Sequence, residues 1–303
     1  MTKNALTMWV ETARPKTLPL AIASIMTGGA LAYWSGQFSG VISLLCLLTT
    51  VLLQVLSNFA NDYGDHQKGS DTTERIGPLR GIQQGAISAT QLKVGLLLVA
   101  LASLLSGAIL IVVAYQNMAD LLVFAGLGVL AIIAAITYTV GEKPYGYMGL
   151  GDISVLLFFG ILGVGGTYYL QTTFLNLAIL LPAMATGLLA TAVLNINNLR
   201  DIEQDRKVGK HTLAVRLGAK KGRLYHCVLL SAAWLCHLLF ACCYVKHWAG
   251  FVFLLATPLL MKHALFVYRS QDPLLLRPML AQMSMIALLV NGLFSLGLLI
   301  SVL

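Results

Sequence analysis

The chain has 303 residues, of which 58% are hydrophobic and only 11% charged, less than half the roughly 25% charged content of an ordinary soluble domain. With a mean hydropathy of +0.81, it lacks the polar surface to cover a soluble core and is too apolar to be disordered, so the bilayer must be its solvent. The net charge of +8 would suit nucleic acid only if the cations clustered on one solvated face.

Seven tracts contain no Asp, Glu, Lys or Arg: 17–61, 94–119, 121–141, 153–199, 224–245, 247–261 and 278–303. A helix crossing a hydrocarbon layer of about 30 Å needs about 20 apolar residues, so the two longest tracts each hold two helices and the others one. Gly36 to Gly40 and Gln171 to Asn176 divide the long tracts, because Gly-rich and polar stretches form turns. The short tract at 247–261 reaches Tyr268 if Lys262 snorkels to the interface. The fold predicted is all-α and polytopic. Nine transmembrane helices are expected near 17–35, 41–60, 92–114, 119–139, 152–170, 175–197, 224–245, 248–268 and 279–301, in one integral-membrane domain over 1–303. The five cysteines lie in apolar runs and read as packing residues.

Counted on alternate sides of these spans, 19 of the 20 Lys and Arg residues share one side, with Lys246 alone on the other. The positive-inside rule makes that side cytoplasmic, with the N-terminus inside and the C-terminus outside the inner membrane. Residues 1–17 read as an amphipathic lead-in, in which Arg14-Pro15-Lys16 is a positive-inside anchor rather than a ligand. Topology and anionic headgroups explain the basic excess, so nucleic acid is not an expected partner, and no obligate protein partner is implied.

Seven of the twelve acids lie in two segments, Asp62 to Glu74 and Asp201 to Asp205, each just after an apolar span. Helical neighbours lie three and four residues apart. Asn58, Asn61 or Asp62, and Asp65 therefore share a face, as do Asn197 or Asn198, Asp201 and Asp205. Carboxylates this dense repel one another unless a cation intervenes. All-oxygen donors suit Mg²⁺, which takes substrate phosphates as further ligands. The interleaved Lys68, Arg75, Arg80, Arg206, Lys207 and Lys210 are candidates to hold those phosphates. Arg75 to Gly81 is a Gly/Pro-punctuated loop that either wraps an anion or is a plain turn. Tyr138, Lys143, Tyr145 and Tyr147 follow the fourth span as either an interfacial belt or substrate contacts. The six histidines show no metal-ligand spacing, and no serine-nucleophile, zinc or P-loop motif occurs.

Asn61-Asp62-x-x-Asp65 after span two and Asp201-x-x-x-Asp205 after span six resemble the intramembrane aromatic prenyltransferase superfamily. The longer strings Asn58–Asp71, Arg75–Arg80, Tyr138–Asp152 and Asn195–Gly218 look like its bacterial 1,4-dihydroxy-2-naphthoate polyprenyltransferases of menaquinone synthesis. The resemblance implies helices around a central cavity open to the cytoplasm, and Mg²⁺ held by Asn61, Asp62, Asp65, Asp201 and Asp205. It also implies substrate contacts from Lys68, Arg75, Arg80, Tyr138, Asn197, Asn198 and Lys210, and catalytic roles for Asp65, Asp201 and Lys143. The substrates would be polyprenyl diphosphate and 1,4-dihydroxy-2-naphthoate; ionisation of the allylic diphosphate, ring attack, and loss of CO₂ and a proton would give demethylmenaquinone. Asp71 lies six residues after Asp65 where related enzymes place that acid four away, and Tyr138 to Lys143 is longer than their usual spacing. Hydroxybenzoate and homogentisate enzymes share the Asp motifs. A cation transporter with Asp/Asn-lined sites is the alternative from another class, although such sites gather near the membrane midplane.

Overall fold

A computed structural model describes residues 5–70, 76, 77 and 79–303, and those residues contain helices, turns and no strand. The helices are α1 (Ala5–Ala13), α2 (Leu18–Trp34), α3 (Gly40–Gln67), α4 (Ala89–Ala114), α5 (Met118–Thr137), α6 (Gly151–Thr172), α7 (Leu177–Arg200), α8 (Ile202–Lys207), α9 (Leu213–Val245), α10 (Trp248–Arg269) and α11 (Pro273–Ile300). All but α8 belong to the nine segments of the described residues long and apolar enough to cross a membrane, the first running from Leu6 through α1 to the end of α2. The chain is an integral membrane protein.

Side chains fix several starts. Ser39 Oγ accepts from the Ile42 amide to open α3, and Ser88 and Gln91 form a reciprocal capping box at α4, satisfying amides that a helix leaves orphaned. Arg14 separates α1 from the Pro15–Thr17 turn with a left-handed backbone (φ 55°), which costs a non-glycine residue on the order of 1 kcal/mol. Thr173, also left-handed at φ 63°, ends α6 inside the predicted turn at Gln171–Asn176.

The helices extend beyond two predicted limits. α3 continues past residue 60 to Gln67, and α9 begins at Leu213 instead of residue 224, bending at Gly218 (φ 73°). Both extensions carry charge and leave the apolar tracts; that of α9 contains Lys and Arg, which are good helix formers, whereas Asn61–Gln67 are mostly poor ones, and there the ion pairs of Asp62 and Asp65 override propensity. α10 spans the short tract as expected, with Lys262 exposed.

α7 is the most buried span, packed between α6 and α9, while α5 buries none of its residues and contributes Phe124 and Leu127 to a cavity wall. Gly160 of α6 and Gly187 of α7 let the backbones touch: a Cβ at Gly160 would lie 2.6 Å from the Ala183 carbonyl, and one at Gly187 2.7 Å from that of Leu156. Small residues permit such approaches where the hydrophobic effect does not drive helices together. Here α6 takes π-helical geometry over Leu156–Gly166. On the other side of α7, Asn291 of α11 accepts from Thr27 of α2 at 3.2 Å and Thr186 of α7 at 2.6 Å, a buried tie among three spans.

Candidate functional site

The ends of α3 and α7, which carry the two acidic segments, meet at the polar end of a cavity of about 1000 Å³. Its other end is lined by Ile25, Cys46, Leu110, Phe124 and Leu170. Cys46 precedes Asp65 by 19 residues on α3, so the cavity extends about 28 Å along that helix, comparable to the hydrocarbon thickness.

Asp65 is the hub. It is 3% exposed, and Arg80 donates to it at 2.6 Å, Lys210 at 2.8 Å and the Tyr147 hydroxyl at 2.6 Å. Lys210 follows α8, so this contact joins the second acidic segment to the first. Gln204 adds a bond from its Nε2 to the Ser70 carbonyl at 3.0 Å. Asp62 lies 2.6 Å from Arg14 and 3.3 Å from Arg80. Asp201 receives two bonds from Arg200, at 2.8 and 2.6 Å, the forked geometry that strengthens carboxylate pairing. Each of these buried carboxylates is paired with at least one cation, and leaving such a charge buried and unpaired would cost several kcal/mol.

The link between α5 and α6 contributes the third wall. His211 donates its amide to the Tyr147 carbonyl at 2.8 Å, and Arg216 donates to the Met148 carbonyl at 2.6 Å. These bonds set the Tyr147 ring beneath the Lys210 ammonium, 4.6 Å from it. Burial first, and then the Asp65 charge, push the Tyr147 phenol well above its ordinary pKa, so it remains a donor. Burial does the same to Tyr138, whose ring meets Tyr145 edge-on at 5.2 Å.

Among the sequence candidates, Asn61, Asp62, Asp65, Arg80, Tyr138, Asn197, Asn198, Asp201, Asp205 and Lys210 all line the cavity. Arg75 and Asp71 lie outside the described residues. Lys68 is exposed at the rim, donating to the Glu142 carbonyl at 3.2 Å. Lys143, expected to be catalytic, is exposed and is not among the described residues that line the cavity, while Lys210 lies beside the Tyr147 ring. Arg14, expected to be an anchor, is a partner of Asp62. Tyr147, read in the sequence as either belt or substrate contact, lies in the cavity wall beside Asp65, whereas Arg200 was not singled out and its signal was adjacency to Asp201.

Metal fit follows from the donor set. Asn61 Oδ1 is buried without a partner among the described residues, in the wall that also holds Asp65, Asp201 and Asp205. Among the described residues no three His, Cys, Asp or Glu side chains converge to hold an ion on their own. The unpartnered amide oxygen and neighbouring carboxylates fit Mg²⁺, which takes one or two carboxylates and completes its shell with water and substrate phosphate. The arrangement joins a cationic, carboxylate-bearing head to a long apolar channel, which suits an anionic head on an apolar tail.

Residues 21–296 match the model of the UbiA prenyltransferase family. The Haemophilus influenzae protein named 1,4-dihydroxy-2-naphthoate octaprenyltransferase is 71% identical, over 99% of this chain and 98% of its own. The Escherichia coli protein of that name is 55% identical, over 97% and 95%. The apo UbiA homolog from Aeropyrum pernix K1 shares the fold, with a TM-score of 0.66 at 17% identity, over 93% of this chain and 98% of that one. The Archaeoglobus fulgidus homolog bound to DMAPP and Mg²⁺ superposes with a TM-score of 0.60 at 16% identity, over 95% and 99%. Over nearly its whole length, therefore, the chain belongs to the UbiA prenyltransferase family.

Proposed function

We propose that this protein transfers a polyprenyl group from polyprenyl diphosphate to 1,4-dihydroxy-2-naphthoate, with loss of diphosphate and CO₂, giving the hydroquinone form of demethylmenaquinone (demethylmenaquinol) in menaquinone synthesis. The two relatives of 71% and 55% identity carry this activity in their names. The carrying structural observation is Asp65, where both acidic segments and three donors converge at the head of an apolar cavity.

Asn61, Asp65, Asp201 and Asp205 would hold Mg²⁺, which when bound supplies charge neutralisation for the diphosphate. Arg80 and Lys210 sit where the diphosphate head would lie and stabilise the charge that grows on it as the allylic C–O bond breaks. The bonding pair leaves with the diphosphate, and the apolar walls, Phe158, Phe159 and Leu162 among them, keep water from the allylic cation. The electron-rich ring carbon bearing the carboxylate forms the new C–C bond. As CO₂ departs, the pair of the broken C–C bond returns to the ring. The acceptor and the diphosphate head approach from the cytoplasm, while the prenyl tail arrives through lipid.

Purified protein in liposomes, offered one polyprenyl diphosphate with 1,4-dihydroxy-2-naphthoate, 4-hydroxybenzoate or homogentisate, should give a prenylated product by mass from the naphthoate alone. Chelation should abolish turnover and added Mg²⁺ restore it. Turnover of hydroxybenzoate instead, or full activity in chelator, would reject the reading.

A further inference from the structure

Among the described residues, six basic side chains line the cavity. Four are engaged by its acids: Arg14 by Asp62, Arg80 by Asp62 and Asp65, Arg200 by Asp201, and Lys210 by Asp65. The other two, Lys16 and Arg277, are exposed and form no ion pair with any described residue.

These two cations come from elements packed against each other. Lys16 lies in the Pro15–Thr17 turn, which contacts α11, and Arg277 lies in the opening turns of α11, where Leu280 and Ala281 continue the wall. Gln54 of α3 holds the turn by donating its Nε2 to the Thr17 carbonyl at 2.7 Å. That bond orients the amide and leaves Gln54 Oε1 buried without a partner among the described residues. Gln54 precedes Asn61 by seven residues on α3, so it lies two turns, about 10 Å, further along the cavity than the first metal-ligand candidate. A diphosphate head bound at Asn61 and Asp65 would direct its allylic carbon toward this level.

The charge assignment is then specific. The diphosphate already has Arg80, Lys210 and the metal ligands, whereas the aromatic acceptor brings one carboxylate beside a ring hydroxyl and needs its own seat. We infer that Lys16 and Arg277 bind the acceptor carboxylate, with Gln54 fixing the turn and offering its free amide oxygen to the neighbouring hydroxyl. Arginine supplies a forked contact and lysine a point charge. Together they orient the carboxylate-bearing carbon toward the allylic carbon, an advantage of position and not of proton transfer. Once CO₂ has left, the product has no charge for the pair to hold. This inference rests on the naphthoate reading above.

The test uses steady-state kinetics in nanodiscs of fixed lipid composition, comparing wild type with the double variant Lys16→Gln/Arg277→Gln. Both positions are exposed, and an unchanged KM for polyprenyl diphosphate reports an intact fold. The expected result is an acceptor KM raised at least about tenfold, as for loss of charged hydrogen bonds, with donor KM and Mg²⁺ requirement within about twofold. 1,4-Dihydroxynaphthalene, which lacks the carboxylate, should compete weakly against naphthoate in wild type and on nearly equal terms in the variant. An unchanged acceptor KM overturns the inference. So do donor and acceptor KM values that rise together, which would place the pair on the diphosphate, or a shift tracking only anionic lipid content, which would place it on headgroups. A wild type inactive on naphthoate defeats the functional reading itself. A wild type active on naphthoate beside an unaffected double variant defeats only the carboxylate seat.

Discussion

Asp65 carries three donors at once, and two of them, Lys210 and Tyr147, come from segments far along the chain. Neutralising it by Asp65→Asn removes the acceptor that organises both acidic segments. Turnover should fall by about 10²–10³-fold, the range for loss of one electrostatic contact at a reacting centre. The same loss is expected for Asp201→Asn, measured as product per minute at matched membrane protein level. Lys143→Ala should stay within about twofold of wild type in that assay, because substitutions of exposed side chains without partners rarely matter more. The Asp-x-x-x-Asp spacing was sufficient to find the acids. It was insufficient to choose among the lysines, since which cation faces a carboxylate depends on how the turns after α5 and α8 fold back.

At the level of helices, the acidic end of α3 is seated on the end of α5 through Gly64, where a Cβ would lie 2.5 Å from the Thr139 carbonyl. Thr139 also donates its hydroxyl to the Ala60 carbonyl at 2.9 Å. Gly64→Ala should push the helix end away, costing about 1–3 kcal/mol as overpacking does and raising donor KM because Asp62 and Asp65 flank the displaced residue. Thermal unfolding in detergent and donor kinetics would read both effects. Asn291→Ala, by contrast, removes the tie among α2, α7 and α11 away from the acids. It should cost about 1–2 kcal/mol, near the upper range for intramembrane hydrogen bonds, seen as a lowered melting temperature with donor KM unchanged. The spans themselves were legible from charge-free tracts. Their extensions at 61–67 and 213–223 were not, because hydropathy detects what lies in hydrocarbon and is silent on helix that emerges from it.

For the whole molecule, the 19-to-1 division of Lys and Arg predicts that the acidic helix ends face the cytoplasm. Single cysteines at Lys207 and Lys246 in a cysteine-free background, challenged with an impermeant maleimide on intact cells, should label only at position 246. Labelling at 207 alone would invert the topology. Composition determined by itself that the chain lives in a bilayer, and the tract lengths determined how many times it crosses, since both follow from the cost of placing charge and unpaired backbone in hydrocarbon. The acidic pairs were likewise readable, because helical spacing places neighbours three and four residues apart on one face. Only the tertiary structure decided which cations meet those acids, that Arg14 pairs with Asp62, and that Lys16 and Arg277 share a wall without an anion partner among the described residues. Those pairings join residues up to hundreds of positions apart, and packing among helices, not local spacing, brings them within ion-pair distance.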